Sequence, residues 1–572
     1  MLQIILTLAI YVALVIPMGK YLYHIAAGKH TFADPVFDRM DNAVFRVCSI
    51  DKKEMNWKQY AMALLVTNAV MVFIGYLILR IQALPIFNPN GIGAMEPSLS
   101  FNTIISFMTN TNLQHYSGES GLSYLSQMMV ITFMMFTSAA TGYSACMAFV
   151  RGLTSPKNAM GNFYIDLIRI TTRVLLPVSL LVGLLLVSQG VPQNLSGNVT
   201  VQTIEGTYQD IAMGPIAALE SIKHLGTNGG GFLGANSSTP LENPNVISNI
   251  AEMISMMILP GACVIAFGHM VHNRKKEKEN AKSKKIIFGK EGRTIFAVMS
   301  IIFVAGILVC YSAESAGNPA LQQVGLSQSM GSMEGKEVRF GIAQSSLFTT
   351  VTTSFTTGSV NNMHDTLTPL GGAVPLLNMM LNVVFGGKGV GLMNMILYAI
   401  LAVFLCGLMI GRTPEYLGKK IEGREMKLTA LCIIIHPLLI LAFSALAVAV
   451  PAGLEGLTNP SFHGLTQVLY EYASSAANNG SGFEGLADNT YFWNITTGLV
   501  MFFGRYLSIV IQLAIASSLM MKRQVSESVG TLKTDTMTFT VTLLMVVLIF
   551  AALTFFPVLA LGPIAEHLTL WS

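Results

Sequence analysis

Ten stretches of this chain are each long and apolar enough to cross a bilayer, which takes about 20 mainly apolar residues in a helix. They fall at residues 2–23, 61–80, 123–150, 170–190, 250–271, 294–313, 373–411 (interrupted), 428–450, 491–521 and 538–562. Runs such as LTALCIIIHPLLILAFSALAVAV (Leu428–Val450) lack the alternation of a barrel strand. A helix suits them, because it closes its own backbone hydrogen bonds in a solvent that offers none. Only 11% of the 572 residues are charged and 52% are hydrophobic, which excludes a soluble fold, a disordered chain and collagen. The expected fold is an all-α integral membrane protein. The apolar start from Leu2 to Gly19 lacks the basic region and small-residue cleavage site of a secretory signal, so it is read as a retained span. The six cysteines never approach a metal-ligand spacing and are expected to be reduced, mostly buried thiols.

Charge placement predicts orientation. Loops 24–60, 151–173, 272–293, 412–427 and 522–535 carry 27 of the 34 Lys and Arg, whereas the alternate loops carry only Lys223, Lys336 and Arg339. The rich loops are therefore expected in the cytoplasm and both termini outside, in keeping with an even number of spans. The tract RKKEKENAKSKK (Arg274–Lys285) reads as a solvated cytoplasmic loop. Nothing in the net charge of +4 implies nucleic acid.

Four of the outside loops share a plan: a helix-like stretch too short to span, then a string rich in Thr, Asn and Gly. The strings are FMTNTNLQHYSGE (Phe107–Glu119), HLGTNGGGFLGANSS (His224–Ser238), TSFTTGSVNNMHD (Thr353–Asp365) and SSAANNGSGFEG (Ser474–Gly485). Taking Asn112, Asn228, Thr357 and Asn479 as equivalent, they recur at separations of 116, 129 and 122 residues, an internal repeat of span, half-helix, string and span. The half-helices are expected at 98–109, 212–225, 342–354 and 463–475. Pore repeats then occupy 61–165, 166–285, 286–425 (with a broken second span) and 426–525. The segment 1–60 adds a first extra span and its loop, and 526–572 adds a last one. Non-helical backbone is tolerated at membrane depth only where it lines protein or water, so the four strings are expected to converge on one axis.

These residue types suit a dehydrated monovalent cation. Backbone carbonyls replace water oxygens without adding a charge that would trap the ion, and glycines such as Gly229, Gly230, Gly231, Gly358, Gly480 and Gly482 let carbonyls turn where a Cβ resists. The absence of carboxylates from the narrow part favours potassium-like ions over calcium or magnesium. An acid follows each string, Glu119, Glu242, Asp365 and Glu484, and either concentrates cations at the mouth or is an ordinary loop residue. His115, His224 and His364 each stand alone in their repeat and are expected to be solvated or hydrogen-bonded. Arg505 interrupts FFGRYLSI inside a span, which marks it as functional by default and fits an electrostatic barrier beneath a filter. VFGGKGVGLMN (Val384–Asn394) breaks another span with Gly386, Gly387 and Gly389 around Lys388, and reads as a gate-like loop.

The motifs TNTNLQHYSGES, GTNGGGFLGANSSTPLENP, TTGSVNNMHD, ANNGSGFEG and GRTPEYLGKKIEGREMK together resemble, over essentially the whole chain, the potassium-binding A subunits of the bacterial Kdp potassium-importing P-type ATPases. The resemblance implies an inner-membrane subunit built from four channel-like hairpins plus a span at each end. It implies high-affinity potassium uptake from outside, with ATP hydrolysed by a separate B subunit in a complex that also holds a C subunit and often a small F peptide, among membrane lipids. Carried over by motif, the potassium filter would comprise Thr111, Asn112, Leu113 and Gln114; Thr227, Asn228, Gly229 and Gly230; Thr356, Thr357, Gly358 and Ser359; and Asn478, Asn479, Gly480 and Ser481. The family's cation below the filter matches Arg505, a second characteristic cation matches Arg412, and the broken third-repeat span bears on the ion's route to the ATPase subunit. A stand-alone channel or secondary transporter of the same superfamily is the alternative, and the GRTPEYLGKK loop and the broken span speak against it. The chain has neither a DKTGT phosphorylation motif nor a Walker motif, so neither a catalytic site nor a bound nucleotide is expected in it. Gly229, Gly231 and Gly234 satisfy G-x-G-x-x-G, but no strand precedes them and no βαβ unit follows, so a dinucleotide site is not expected.

Overall fold

The chain's computed structural model describes residues 2–154, 159–279, 287–525 and 532–571, so much of the tract Arg274–Lys285 lies outside the described residues. Ten helices among the described residues are long and apolar enough to span a membrane, as the hydropathy pattern predicts. They group into the expected hairpins. The first repeat runs α3 (Trp57–Ile81), half-helix α4 (Pro97–Met108) and α5 (Tyr124–Thr154). The second runs α6 (Phe163–Ser188), half-helix α7 (Ile216–Leu225) and α8 (Val246–Arg274). The third runs α9 (Lys290–Ser315), half-helix α10 (Gly341–Ser354), then a second span in two pieces, α11 (Pro369–Leu381) and α12 (Val390–Ile410). The fourth runs α13 (Gly423–Ala449), half-helix α14 (Ser461–Ala477) and α15 (Tyr491–Met520). The added spans are α1 (Leu2–Ala26) and α16 (Met537–Leu559).

The half-helices start where local chemistry allows. Pro97 sits in the first turn of α4, where its missing N–H costs nothing, and the Glu96 carboxylate accepts the Leu99 amide. The α7 start moves to Ile216 from the expected 212, because Gly214 (φ 141°) and Pro215 precede it and neither continues a helix backward. Two elements fall in loops for which no secondary structure is expected. A short helix, α2 (Asp34–Val47), follows α1, and an antiparallel hairpin pairs β1 (Val199–Gln202) with β2 (Tyr208–Ile211).

Burial separates the inner and outer helices. In α5 and α8, 83% of the most apolar window is buried by the rest of the chain, against 17% for the last span. The inner helices approach closely through small residues, as membrane packing requires where hydrophobicity does not distinguish protein from lipid. Gly261 of α8 faces the Tyr11 ring of α1, Gly19 of α1 faces Ile265, and Gly152 of α5 faces Ala516 of α15. None of the six cysteines forms a disulfide; Cys146, Cys263, Cys310 and Cys432 are buried, Cys406 is half-buried and Cys48 is exposed.

Candidate functional site

Each half-helix ends on a residue with left-handed backbone: Asn110 (φ 63°), Thr227 (φ 43°), Thr356 (φ 48°) and Asn478 (φ 55°). The next amide then reaches back five residues into the half-helix: Thr111 to Ser106, Asn228 to Lys223, Thr357 to Thr352 and Asn479 to Ser474, all at 2.8–2.9 Å. One residue later the backbone is left-handed again, at Asn112 (φ 61°), Gly229 (φ 107°), Gly358 (φ 93°) and Gly480 (φ 102°). This repeating conformation corrects the sequence alignment. Thr111, not Asn112, is the counterpart of Asn228, Thr357 and Asn479, and the slip arises because Asn112 occupies a position that glycine fills in the other three repeats. Asparagine is among the few side chains that tolerate this region. In equivalent frames the strings are Asn110–Leu113, Thr227–Gly230, Thr356–Ser359 and Asn478–Ser481, and Gln114 lies one residue beyond.

The strings pack around one axis in chain order. A Cβ on Gly229 would collide with the Thr357 carbonyl oxygen, one on Gly358 with that of Asn479, and one on Gly480 with that of Thr111. Gly230 closes the circle, since its Cβ would lie 3.0 Å from the Asn112 carbonyl oxygen. Gly229, Gly358 and Gly480 are required both for their left-handed backbone and for their bareness, Gly230 for its bareness. Polar side chains brace the ring from behind. Asn110 donates to the Thr227 carbonyl (2.6 Å) while its own Oδ1 accepts from Asn228 (2.9 Å) and Ser138 (2.9 Å). Asn478 donates to the Thr111 hydroxyl (2.9 Å), Asn479 to the Thr352 carbonyl (3.0 Å), and Asn236 to the Gly229 carbonyl (2.8 Å). Gln114 grips Gly231 at both ends, accepting its amide (2.8 Å) and donating to its carbonyl (3.0 Å). In contrast, Asn112 Oδ1, Thr227 Oγ1, Asn228 Oδ1 and Thr357 Oγ1 are buried with no hydrogen-bond partner among the described residues. Buried polar atoms normally find one.

Each of the four acids after the strings braces backbone or side chains, with Glu242 and Asp365 buried, Glu119 half-exposed and Glu484 exposed. Glu119 accepts the Gly234 amide of the next repeat (2.7 Å), Glu484 accepts the His364 amide (3.0 Å), and Asp365 holds Gln467 (3.0 Å) and His463 (3.1 Å). Glu242 is fully buried on Lys223 Nζ (2.8 Å) and the Leu233 amide (2.7 Å). Lys223 also pairs with Glu220 at 2.8 Å, and Lys336 pairs with Glu314 at 2.7 Å, all without exposure. Two of the three cations in the outer loops are thus internal ion pairs.

The histidines do not stand alone in space. His115 Nδ1 faces Asn494 Oδ1 at 2.7 Å, and Nε2 faces Glu471 (3.3 Å) and Asp488 (3.6 Å), so both ring nitrogens meet acceptors and the ring is an imidazolium. Burial opposes that charge, yet the two carboxylates hold its pKa up to about 9. His364, against the Tyr470 hydroxyl (2.7 Å), is pushed down to about 3 by burial and stays neutral. His224 sits between the Glu220 carbonyl (3.0 Å) and the Ser359 hydroxyl (2.9 Å), with Glu252 at 3.3 Å. These partners lie up to hundreds of residues away along the chain, and no local motif announces them.

Directly beneath the ring lies the break between α11 and α12. Asn382, Phe385, Gly386 and Gly389 all take positive φ, and a Cβ on Gly387 would lie 3.1 Å from Thr227 Oγ1 and 3.2 Å from the Thr356 carbonyl. Lys388 is buried, and its Nζ has no hydrogen-bond partner among the described residues. Arg505 is 8% exposed and has no carboxylate partner among the described residues. Gly142 of α5 lies between them, its missing Cβ facing the Arg505 guanidinium and, at 3.9 Å, the Lys388 carbonyl. A cavity of about 60 Å3 is lined by Asn478 and Arg505, by Asn382, Asn394 and Gln512, and by Thr554 and Phe555 of α16. Arg412 is not part of this site. It is exposed just past the far end of α12, beside Lys420 and Glu422.

A family model described as "Potassium-transporting ATPase A subunit" matches residues 5–568. Curated relatives named "Potassium-transporting ATPase potassium-binding subunit" include one from Clostridium acetobutylicum, 60% identical over 570 residues and covering 100% of both chains. A relative from Geobacillus kaustophilus is 54% identical over 99% of both, and one from Staphylococcus haemolyticus is 52% identical over 99% of this chain and 100% of its own. With its four-string ring and this match over nearly its full length, the chain belongs to the potassium-transporting ATPase A subunit family.

Proposed function

We propose that the chain binds potassium from outside in the ring of four strings and passes it inward as the non-hydrolysing subunit of an ATP-driven importer. The observation that carries this is the ring itself: four backbone segments with carbonyls packed against neighbouring glycines, unpaired buried oxygens from Asn112, Thr227, Asn228 and Thr357, and no carboxylate in the narrow part. Neutral oxygens from four directions can replace the hydration shell of a monovalent ion and still release it. Thr111, Asn228, Thr357 and Asn479 form the central layer, with Asn112, Gly229, Gly358 and Gly480 outside them. Leu113, Gly230, Ser359 and Ser481 line the entrance, and Gln114 braces it.

Beneath, the basic groups of Arg505 and Lys388 have no carboxylate partner among the described residues, and a cation leaving the ring meets them first. We assign them the role of a barrier to free downhill flow, with Gly386, Gly387 and Gly389 as the flexible part that yields during transport. The cavity from Arg505 toward α16 supports a sideways route to a partner. That partner is taken to be the P-type ATPase B subunit, in a complex with a C subunit and a small F peptide in the bacterial inner membrane. By the distribution of basic loops both termini face outside. Arg412, with the rest of the GRTPEYLGKK loop, then belongs to the cytoplasmic face rather than to the pore.

The family match favours this reading over a self-sufficient channel. The test is potassium-stimulated ATP hydrolysis by the purified complex carrying Gly230→Asp: a carboxylate at the entrance should lower apparent potassium affinity at least tenfold, and an unchanged affinity would remove the ring from the binding site.

A further inference from the structure

Helix α2 is amphipathic in the wrong sense for a helix packed on a soluble protein. Asp34 and Asp41 are buried on its inner side, and together with the half-exposed Asp38 they engage the one guanidinium of Arg173, whose side chain is 1% exposed. Its apolar stripe faces outward. Val36 is 70% exposed, Met40 41%, Val44 37% and Val47 83%, following the spacing of one helix face, and Phe32 just before the helix is 84% exposed. A contiguous apolar stripe left open in this way marks an interaction surface.

The anchoring residue fixes where that surface lies. Arg173 immediately precedes the uncharged run Val174–Val187 of α6, whose Leu176, Leu180, Leu181 and Leu184 are exposed to the bilayer. The Arg173 carbonyl accepts the Tyr21 hydroxyl from the end of α1 at 3.1 Å, and the Tyr21 ring stacks on Phe32 at 5.1 Å. α2 is therefore held at the depth where charged residues give way to hydrocarbon, and its stripe continues the lipid-facing surface of α1 and α6. Arg39 and Arg46 are exposed on the same helix, placed to reach anionic headgroups as their stems lie along the interface.

We propose that α2 is an interfacial helix, with Val36, Met40, Val44 and Val47 embedded in the leaflet on the basic-loop side and Arg39 and Arg46 on anionic lipid headgroups. Its carboxylate clamp on Arg173 then ties the first extra span and the second repeat to the membrane surface. The test uses the full complex with Cys48→Ser and an environment-sensitive fluorophore on Val44→Cys or, separately, Asn42→Cys, in nanodiscs of phosphatidylethanolamine and phosphatidylglycerol. Unaltered ATP hydrolysis shows that the labelled complexes are folded. The proposal expects the Val44 label to be quenched at least twofold more by nitroxide lipid than by aqueous iodide, with the order reversed at Asn42. Iodide quenching of both labels alike would overturn it, and so would protection of Val44 from both quenchers, which would mean that a protein subunit covers the stripe. Nanodiscs leave both faces open, so the outcome is independent of which face is cytoplasmic.

Discussion

Around the ring and directly beneath it, the chain treats buried basic groups in opposite ways. On the outer side every fully buried cation has carboxylates at contact: Lys223 on Glu220 and Glu242, Lys336 on Glu314, His115 on Glu471. On the inner side Arg505 and Lys388 have none among the described residues. Desolvating a charge is expensive, and pairing is the usual remedy. The difference teaches that the outer charges serve rigidity, bracing the backbone around the strings, whereas Arg505 and Lys388 beneath the ring are without a carboxylate among the described residues, as the proposed barrier requires.

The sharpest way to break the comparison is at the ring. Gly480→Ala sets a Cβ against the Thr111 carbonyl in a backbone region that alanine resists, so potassium-stimulated hydrolysis should lose at least a hundredfold in apparent affinity, or about 2.7 kcal/mol. Full retention would show that the strand is not rigidly held. Next comes Lys223→Met, which strands two buried carboxylates and should cost about 3–5 kcal/mol, seen as a lower thermal midpoint in detergent. Adding Glu220→Gln and Glu242→Gln should restore most of it, since neutral amides need no counter-charge.

The His115 brace gives a pH signature. Its folded-state pKa of about 9 lies above the ordinary 6.5, so its stabilisation is complete below pH 6.5 and fades as pH rises through 9, with a ceiling of about 3 kcal/mol. His115→Gln should flatten the alkaline fall in thermal midpoint between pH 6.5 and 9; an identical fall in the variant would deny the brace. Gln114→Arg, which removes the double grip on Gly231, should lower potassium affinity at least tenfold, about 1.4 kcal/mol. Smallest in affinity and most telling for the lower side is Arg505→Ala. Binding should change little, while potassium leaks through without matching hydrolysis, and tight coupling in this variant would refute the barrier.

Span number and half-helices were legible in the sequence because bilayer thickness imposes a length on each apolar run. The strings were legible as clusters of Gly, Asn and Thr: Gly and Asn tolerate the left-handed positions, whereas Thr227 and Thr356 occupy them against the preference of a β-branched residue. The register of the first string was not, since Asn112 replaces the glycine that marks the frame in the other three. Nor were the roles of the acids. Glu119, Asp365 and Glu484 look like loop charges until the fold sets each against the backbone or side chains of another repeat. The same holds for His115, whose partners Glu471 and Asp488 belong to the far end of the chain. Helix α2 was hidden for a different reason, because Val36, Met40, Val44 and Val47 face away from the protein and the carboxylate clamp on Arg173 shows which side is inner.

The central claim is tested most directly by a cryo-EM map of the complex in rubidium, compared with one in a large organic cation. Density on the axis at the level of the Thr111, Asn228, Thr357 and Asn479 carbonyls, present only with rubidium, is the predicted result. Rubidium density elsewhere, with that axis empty, would contradict it.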